Sequence, residues 1–209
     1  MSDQKYIILD RDGVINVDLF DYVTKPADFK FEDGSLEALS ILSENNFKIV
    51  VATNQACISL GIASRDQIDN VNSHMKQKVR EHGSDIIHVE VCPHRPEDNC
   101  DCRKPKTGLL LQAEKVLDIN LKGSYFIGDK FSDVQCALAH ECKPLLVKTG
   151  YGEITLKNHD TSQAQVFKIY CQQQNLFAND FICKIFSLLC GFRNFFNRHI
   201  FNLPSLYFY

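Results

Sequence analysis

Residues 6–16 read YIILDRDGVIN, and this stretch decides the fold. Tyr6-Ile7-Ile8-Leu9 is a short apolar run of the kind that forms a buried strand. It ends on Asp10, and a second carboxylate, Asp12, follows two residues later with Gly13 behind it. Working outward, further apolar runs stand at 47–52 (FKIVVA), 86–91 (IIHVEV), 124–127 (SYFI) and 145–148 (LLVK). Helical patterns lie between them. Leu36, Leu39 and Leu42 mark one helix face. Ser64 and Gln67 form a capping-box signature before Ile68, Val71, Met75 and Val79, and Gly83 stops that helix. Thr107 is placed to cap a helix carrying Leu110, Leu111, Ala113 and Leu117. Strands alternating with helices predict an α/β, doubly wound, mostly parallel five-stranded sheet covered on both faces. Ligands in such sheets bind beyond the carboxyl ends of the strands. Asp10, Thr53, Cys92 and Asp129 all stand at or just past such ends and are expected to converge on one rim.

The expected chemistry is phosphoryl transfer. A carboxylate in line with the leaving oxygen can be the nucleophile, and a second one can protonate that oxygen and later activate water. Asp10 and Asp12 are candidates for these two roles, with Gly13 permitting the tight turn. Two carboxylates facing a phosphoryl group need a cation, and Mg²⁺ suits an all-oxygen shell. Asp10, Asp12 and Asp129 are the candidate ligands, and Asp133 lies one helical turn further on.

Residues 92–102 read CPHRPEDNCDC. Cys92, His94, Cys100 and Cys102 make a three-thiolate, one-imidazole set suited to a closed structural Zn²⁺ site. The loop is polar and rich in proline and acids, so metal binding would supply its folding energy. A zinc loop here would also position Arg103 and Lys104.

The 209 residues carry a formal net charge of -3 and are 44% hydrophobic. An acidic balance speaks against a nucleic-acid partner. No stretch has the length and apolarity of a membrane span. The nine cysteines, without a leader before the first strand, fit a reducing, cytoplasmic compartment with free thiols. A monomer acting on a small phosphorylated metabolite is expected. The expected domains are a catalytic unit over 1–155, its C-terminal part over 156–190 and an aromatic, basic tail over 191–209. A strand or loop and then a helix are expected within 163–190.

Four motifs in order, LDRDGVIN, VATNQ, CRKP and IGDKFSD, resemble the haloacid dehalogenase superfamily of phosphatases over about residues 5–153. The resemblance implies an α/β core without a large cap domain and an aspartyl-phosphate on Asp10. It implies a phosphoryl contact from Thr53, charge stabilisation by Lys104 and a metal ligand in Asp129. The zinc loop directly before CRKP, with Asp18, the Asp21-Tyr22-Val23 run and KTGYG at 148–152, is similar to the D-glycero-D-manno-heptose 1,7-bisphosphate phosphatase family. That family removes the 7-phosphate on a route to heptose for bacterial surface glycans. The implied substrate-binding residues are Arg11, Asp18, Tyr22, Asn54, Gln55, Ala56, Arg103 and Lys130. Arg11 could equally pair with a surface acid. The run Ala56-Cys57-Ile58-Ser59-Leu60-Gly61 departs from the family, which usually continues TNQ with Ser-Gly and a basic residue. Histidinol-phosphate phosphatase, in the same zinc-containing subgroup, is the alternative enzyme. A non-catalytic zinc-stabilised binding protein is the alternative of another class.

Overall fold

The computed structural model describes residues 4–167. The helix expected at the end of 163–190 and the tail at 191–209 lie outside the described residues. Six parallel strands form one sheet: β1 (Lys5–Leu9), β2 (Phe47–Asn54), β3 (Ile86–Cys92), β4 (Tyr125–Gly128), β5 (Lys143–Val147) and β6 (Gln165–Phe167). Their order is β3-β2-β1-β4-β5-β6, every neighbouring pair parallel. The helices are α1 (Ser35–Glu44), α2 (Arg65–Glu81), α3 (Gly108–Leu117), α4 (Phe131–Ala139) and α5 (Gly152–Asn158).

Period-2 alternation explains why the central residues of β1 and β2 are apolar at successive positions. Ile7 and Leu9 of β1, with Ile49 and Val51 of β2, face a core shared with Leu39 and Leu42 of α1 and Val71, Met75 and Val79 of α2. Ile8, Val50 and Ala52 face the opposite core, against Leu109, Leu110 and Ala113 of α3 and Ala137 of α4. A strand buried on both sides carries apolar residues at every position. The Ser64 capping box is made as expected. Ser64 Oγ accepts from the Gln67 N–H at 3.2 Å, and Gln67 Oε1 accepts from the Ser64 N–H at 2.8 Å.

Three expectations are corrected. The sheet has six strands, not five: β6 is a three-residue segment in a polar stretch and is added by pairing with β5, not by its own apolarity. Thr107 stands at the N-cap of α3, but its side chain makes no capping bond. Leu111 is 54% exposed, and Leu109 takes its place in the core. An apolar run of three leucines leaves the helix phase open, and packing against the sheet decides it.

The sheet order creates a switch point between β1 and β4, from which the chain winds outward in opposite directions. The Asp10 N–H donates to Ile127 O at 2.9 Å and stitches the end of β1 to β4 at that point. The remaining long connections, residues 10–34 and 93–107, arch over the same strand ends. The α3 phase gives a direct check. Leu110→Ala should cost about 2–5 kcal/mol, whereas Leu111→Ala should stay within about 0.5 kcal/mol of the wild type, both read from denaturant melts.

Candidate active site

Beyond the carboxyl ends of β1, β2 and β4 lies a cavity of about 640 Å³. At its floor the Lys104 ammonium, buried, sits 3.0 Å from Asp10 Oδ1 and 2.6 Å from Asp133 Oδ1. It also donates to Ala52 O at 2.8 Å. Burial opposes its charge, but Asp10 and Asp133 outweigh that and hold it protonated above the usual lysine range. The Asp10 carboxyl is pushed up to about 6, first by burial, with Lys104 pulling the other way and Asp133 adding to the rise. Burial likewise raises Asp129 well above the usual carboxylate range.

Asp10, Asp129 and Asp133 each offer an oxygen within 4.8 Å of the others. Asp129 Oδ2 accepts from the Tyr151 N–H at 2.8 Å, while its Oδ1 is buried with no hydrogen-bond partner. Three clustered carboxylates, one of them with an orphaned oxygen, fit a hard divalent cation. Gly13, at φ +82°, runs directly beneath Asp129. A Cβ there would overlap the Asp129 carboxylate, and the same holds at Gly150. The backbone is thus glycine where it must pass close to the acid.

The Asp12 side chain is not part of that cation cluster. Arg11 Nη2 donates to both its oxygens at 3.1 Å, Asn16 Nδ2 to Oδ1 at 2.9 Å and Gln55 Nε2 to Oδ2 at 2.7 Å. Burial would raise its pKa, but the Arg11 charge and the bonds from Asn16 and Gln55 hold it below the usual range. Asp133, noted in the sequence only as lying one helical turn beyond Asp129, is the third side chain of that cluster. The spacing Gly-Asp-x-x-x-Asp at the start of α4 was the available signal.

Of the expected substrate contacts, Asp18, Tyr22, Asn54, Ala56, Arg103 and Lys130 line the cavity. Lys130 Nζ pairs with Asp18 Oδ2 at 3.0 Å and lies 4.6 Å from the Tyr151 ring centre. Arg11 and Gln55 do not line it. Arg11 is 0% exposed and directed to Asn72 and Asp12. Gln55 is buried and bridges Asp12 to Thr53, donating to Thr53 Oγ1 at 2.8 Å. Both support other site residues and do not face a ligand. Tyr151 and Arg95 also line the cavity, unforeseen. Asn72 was missed too, although a polar residue on the apolar face of α2 is itself a signal.

Next to the cavity, Cys92, His94, Cys100 and Cys102 converge. The sulfurs lie 3.2–3.7 Å apart, and His94 Nδ1 is 3.3 Å from Cys102 Sγ and 3.8 Å from Cys92 Sγ. These are not disulfides. Zinc–sulfur bonds of about 2.3 Å at tetrahedral angles separate the sulfurs by about 3.8 Å, so the set fits a tetrahedral ion. Arg103 ties the cluster to the site: its N–H approaches Cys100 Sγ at 3.4 Å, and Nη1 donates to His94 O at 2.8 Å.

The fold and site define a hydrolase of the haloacid dehalogenase-like class. The HAD-hydrolase-like family model matches residues 101–168. The chain is 40% identical over 150 residues to the D-glycero-beta-D-manno-heptose-1,7-bisphosphate 7-phosphatase of Pseudomonas aeruginosa, covering 72% of this chain and 84% of that protein. It is 39% identical over 152 residues to the enzyme of the same name from Yersinia pestis, covering 69% and 80%. The crystal structure of D,D-heptose 1,7-bisphosphate phosphatase from B. bronchiseptica, complexed with magnesium and phosphate, superposes with a TM-score of 0.77 at 30% identity. That match covers 88% of this chain and 99% of the other. The chain belongs to the heptose 1,7-bisphosphate 7-phosphatase family, and it is a phosphoric monoester hydrolase.

The raised Asp10 pKa has a stability consequence. Between about pH 4 and 6 the folded chain holds a proton on Asp10 that the unfolded chain has released, so this carboxyl costs stability as pH rises through that window and costs it fully above. Without added Mg²⁺, Asp10→Asn should therefore be more stable than the wild type at pH 8, by on the order of 1–3 kcal/mol. The difference should close as pH falls towards 4, as thermal melts across pH would read.

Proposed function

We propose that the chain hydrolyses the 7-phosphate of D-glycero-beta-D-manno-heptose 1,7-bisphosphate through a phosphoaspartate on Asp10. The observation that carries this reading is the buried Asp10–Lys104–Asp133 cluster, open to the cavity and backed by the unpartnered Asp129 oxygen. The names of the relatives supply the substrate class. Arg95, Arg103, Lys106 and Lys130 line the same cavity and suit a second phosphate.

Asp10 attacks phosphorus with one carboxylate oxygen. The new P–O bond forms as the bond to the sugar oxygen breaks, and Asp12 gives that oxygen its proton. In the second half Asp12, now a carboxylate, takes a proton from water. The water oxygen bonds phosphorus, the Asp10–phosphorus link breaks and inorganic phosphate leaves. Asp12 rests as the carboxylate and takes up one proton from solvent as the substrate binds. An entering phosphoryl anion beside it raises its proton affinity and suits it to the acid step. Lys104 orients Asp10 and offsets charge on the transferring group. Thr53 Oγ1 already accepts from Gln55, so its own O–H is free to donate to a phosphoryl oxygen. Mg²⁺, which Asp10, Asp129 and Asp133 would hold, supplies charge neutralisation for the phosphoryl oxygens.

Zn²⁺ is the ion that best fits the Cys92, His94, Cys100 and Cys102 set, in a structural role. Six free cysteines among the described residues favour a reducing, cytoplasmic setting. No helix among the described residues is long and apolar enough to cross a membrane.

Phosphate release with Mg²⁺, from heptose 1,7-bisphosphate and histidinol phosphate in parallel, tests the substrate. Clear preference for the bisphosphate is the expected result, and preference for histidinol phosphate would replace the reading. Asp10→Asn should lose roughly a thousandfold or more in kcat while staying folded. Protein purified under reducing conditions should carry one zinc per chain, and Cys100→Ser should lose the zinc and melt lower. Wild type free of zinc would refute the assignment of that site.

A further inference from the structure

The Asp12 carboxylate is held from behind by a buried guanidinium, and that guanidinium is itself held from α2. Arg11 Nη2 reaches both Asp12 oxygens at 3.1 Å, and Nη1 donates to Asn72 Oδ1 at 3.0 Å. We infer that Arg11 and Asn72 are positioning residues for proton transfer: Asn72 fixes the guanidinium, and the guanidinium aims Asp12 at the leaving oxygen. This rests on the reading of Asp12 as the proton donor.

Asn72 is costly where it stands. Ile68, Val71, Met75 and Val79 make the rest of that face of α2, and all are buried against the sheet. Asn72 is buried among them, where an apolar side chain would serve the packing. Its oxygen instead accepts from a cation 61 residues away in sequence. A fully buried arginine is likewise expensive unless paired. Together the two side chains form one rigid strut, from a helix packed on the sheet to a carboxylate on a turn.

Arg11 also links both halves of the chemistry. Its N–H donates to Asp10 Oδ1 at 2.7 Å, and its carbonyl accepts from Ile15 and Asn16 at 2.9 and 3.1 Å. The residue between the nucleophile and the acid thus touches both, by backbone on one side and by side chain on the other. Asn16 and Gln55 complete the grip on Asp12, which still lines the cavity. All three donors leave its open side to the substrate. If Arg11 served only as a counter-charge, Asn72 would be dispensable, because the charge remains without it.

The test separates aim from charge and from folding. Asn72→Leu keeps the size and removes the acceptor; Asn72→Asp keeps the acceptor oxygen. First-turnover rates are measured by rapid quench with Mg²⁺ on two esters. Heptose 1,7-bisphosphate, or any alkyl phosphate the wild type hydrolyses, needs its leaving oxygen protonated. p-Nitrophenyl phosphate does not, since its aryl oxide leaves without a proton. Asn72→Leu should slow the alkyl ester about 10–100-fold and the aryl ester less than about threefold. Asn72→Asp should recover most of the alkyl rate. If Asn72→Leu does not fold, Arg11→Lys, which keeps the charge but cannot span Asn72 and Asp12 together, should give the same selective loss. Equal losses on both esters, or none on either, would overturn the inference. A wild type inactive towards both would instead remove the proposed function, and the inference with it.

Discussion

The structure turns on one buried ammonium. Lys104 joins Asp10 to Asp133 beneath the cavity floor, and Asp129 lies against the same cluster. Three carboxylates around one lysine leave an excess of negative charge in a water-poor place. Burial makes that excess expensive, which is why the Asp10 and Asp129 pKa values are driven up. A divalent cation held by these carboxylates would offset that charge. Electrostatic frustration of this kind is common where carboxylates are gathered for catalysis.

Lys104 reaches that position by way of the cysteine–histidine loop. Cys92 is the last residue of β3, and Cys100 and Cys102 come just before Arg103 and Lys104. A metal gathered by these side chains would fix the loop between the sheet and the lysine. The Asn54 side chain adds a second clamp, bonding the Lys104 N–H and carbonyl at 3.2 Å each. The loop thus has a physical link to catalysis without contributing a reacting group.

The two carboxylates of the first loop, Asp10 and Asp12, sit two residues apart and live in opposite environments. Asp10 is raised by burial among other acids, whereas Asp12 is held low by Arg11 and two amide donors. Divergent environments for neighbouring acids allow divergent roles. The contrast comes from what packs behind each side chain: Lys104 behind Asp10, and the Arg11–Asn72 strut behind Asp12.

The sequence alone determined the parallel α/β sheet, the strand ends that carry Asp10, Thr53, Cys92 and Asp129, and the closeness in sequence of the four soft side chains of the loop. These follow from local information, namely apolar period, caps and ligand spacing, which any short window of the chain carries. The tertiary structure decided what depends on contacts distant in sequence. β6 became a strand only by pairing with β5. Leu111 turned outward because Leu109 and Leu110 fit the sheet. Gln55 was drawn inward as a support where its motif suggested a ligand contact, and Arg11, left open between the substrate and a surface acid, paired with the buried Asp12. Asp133 joined Asp10 and Asp129 because the first turn of α4 points its acid at Lys104, while Arg11, Asn16 and Gln55 hold the Asp12 side chain. A side chain's partner is set by which elements pack together, and no local pattern encodes that.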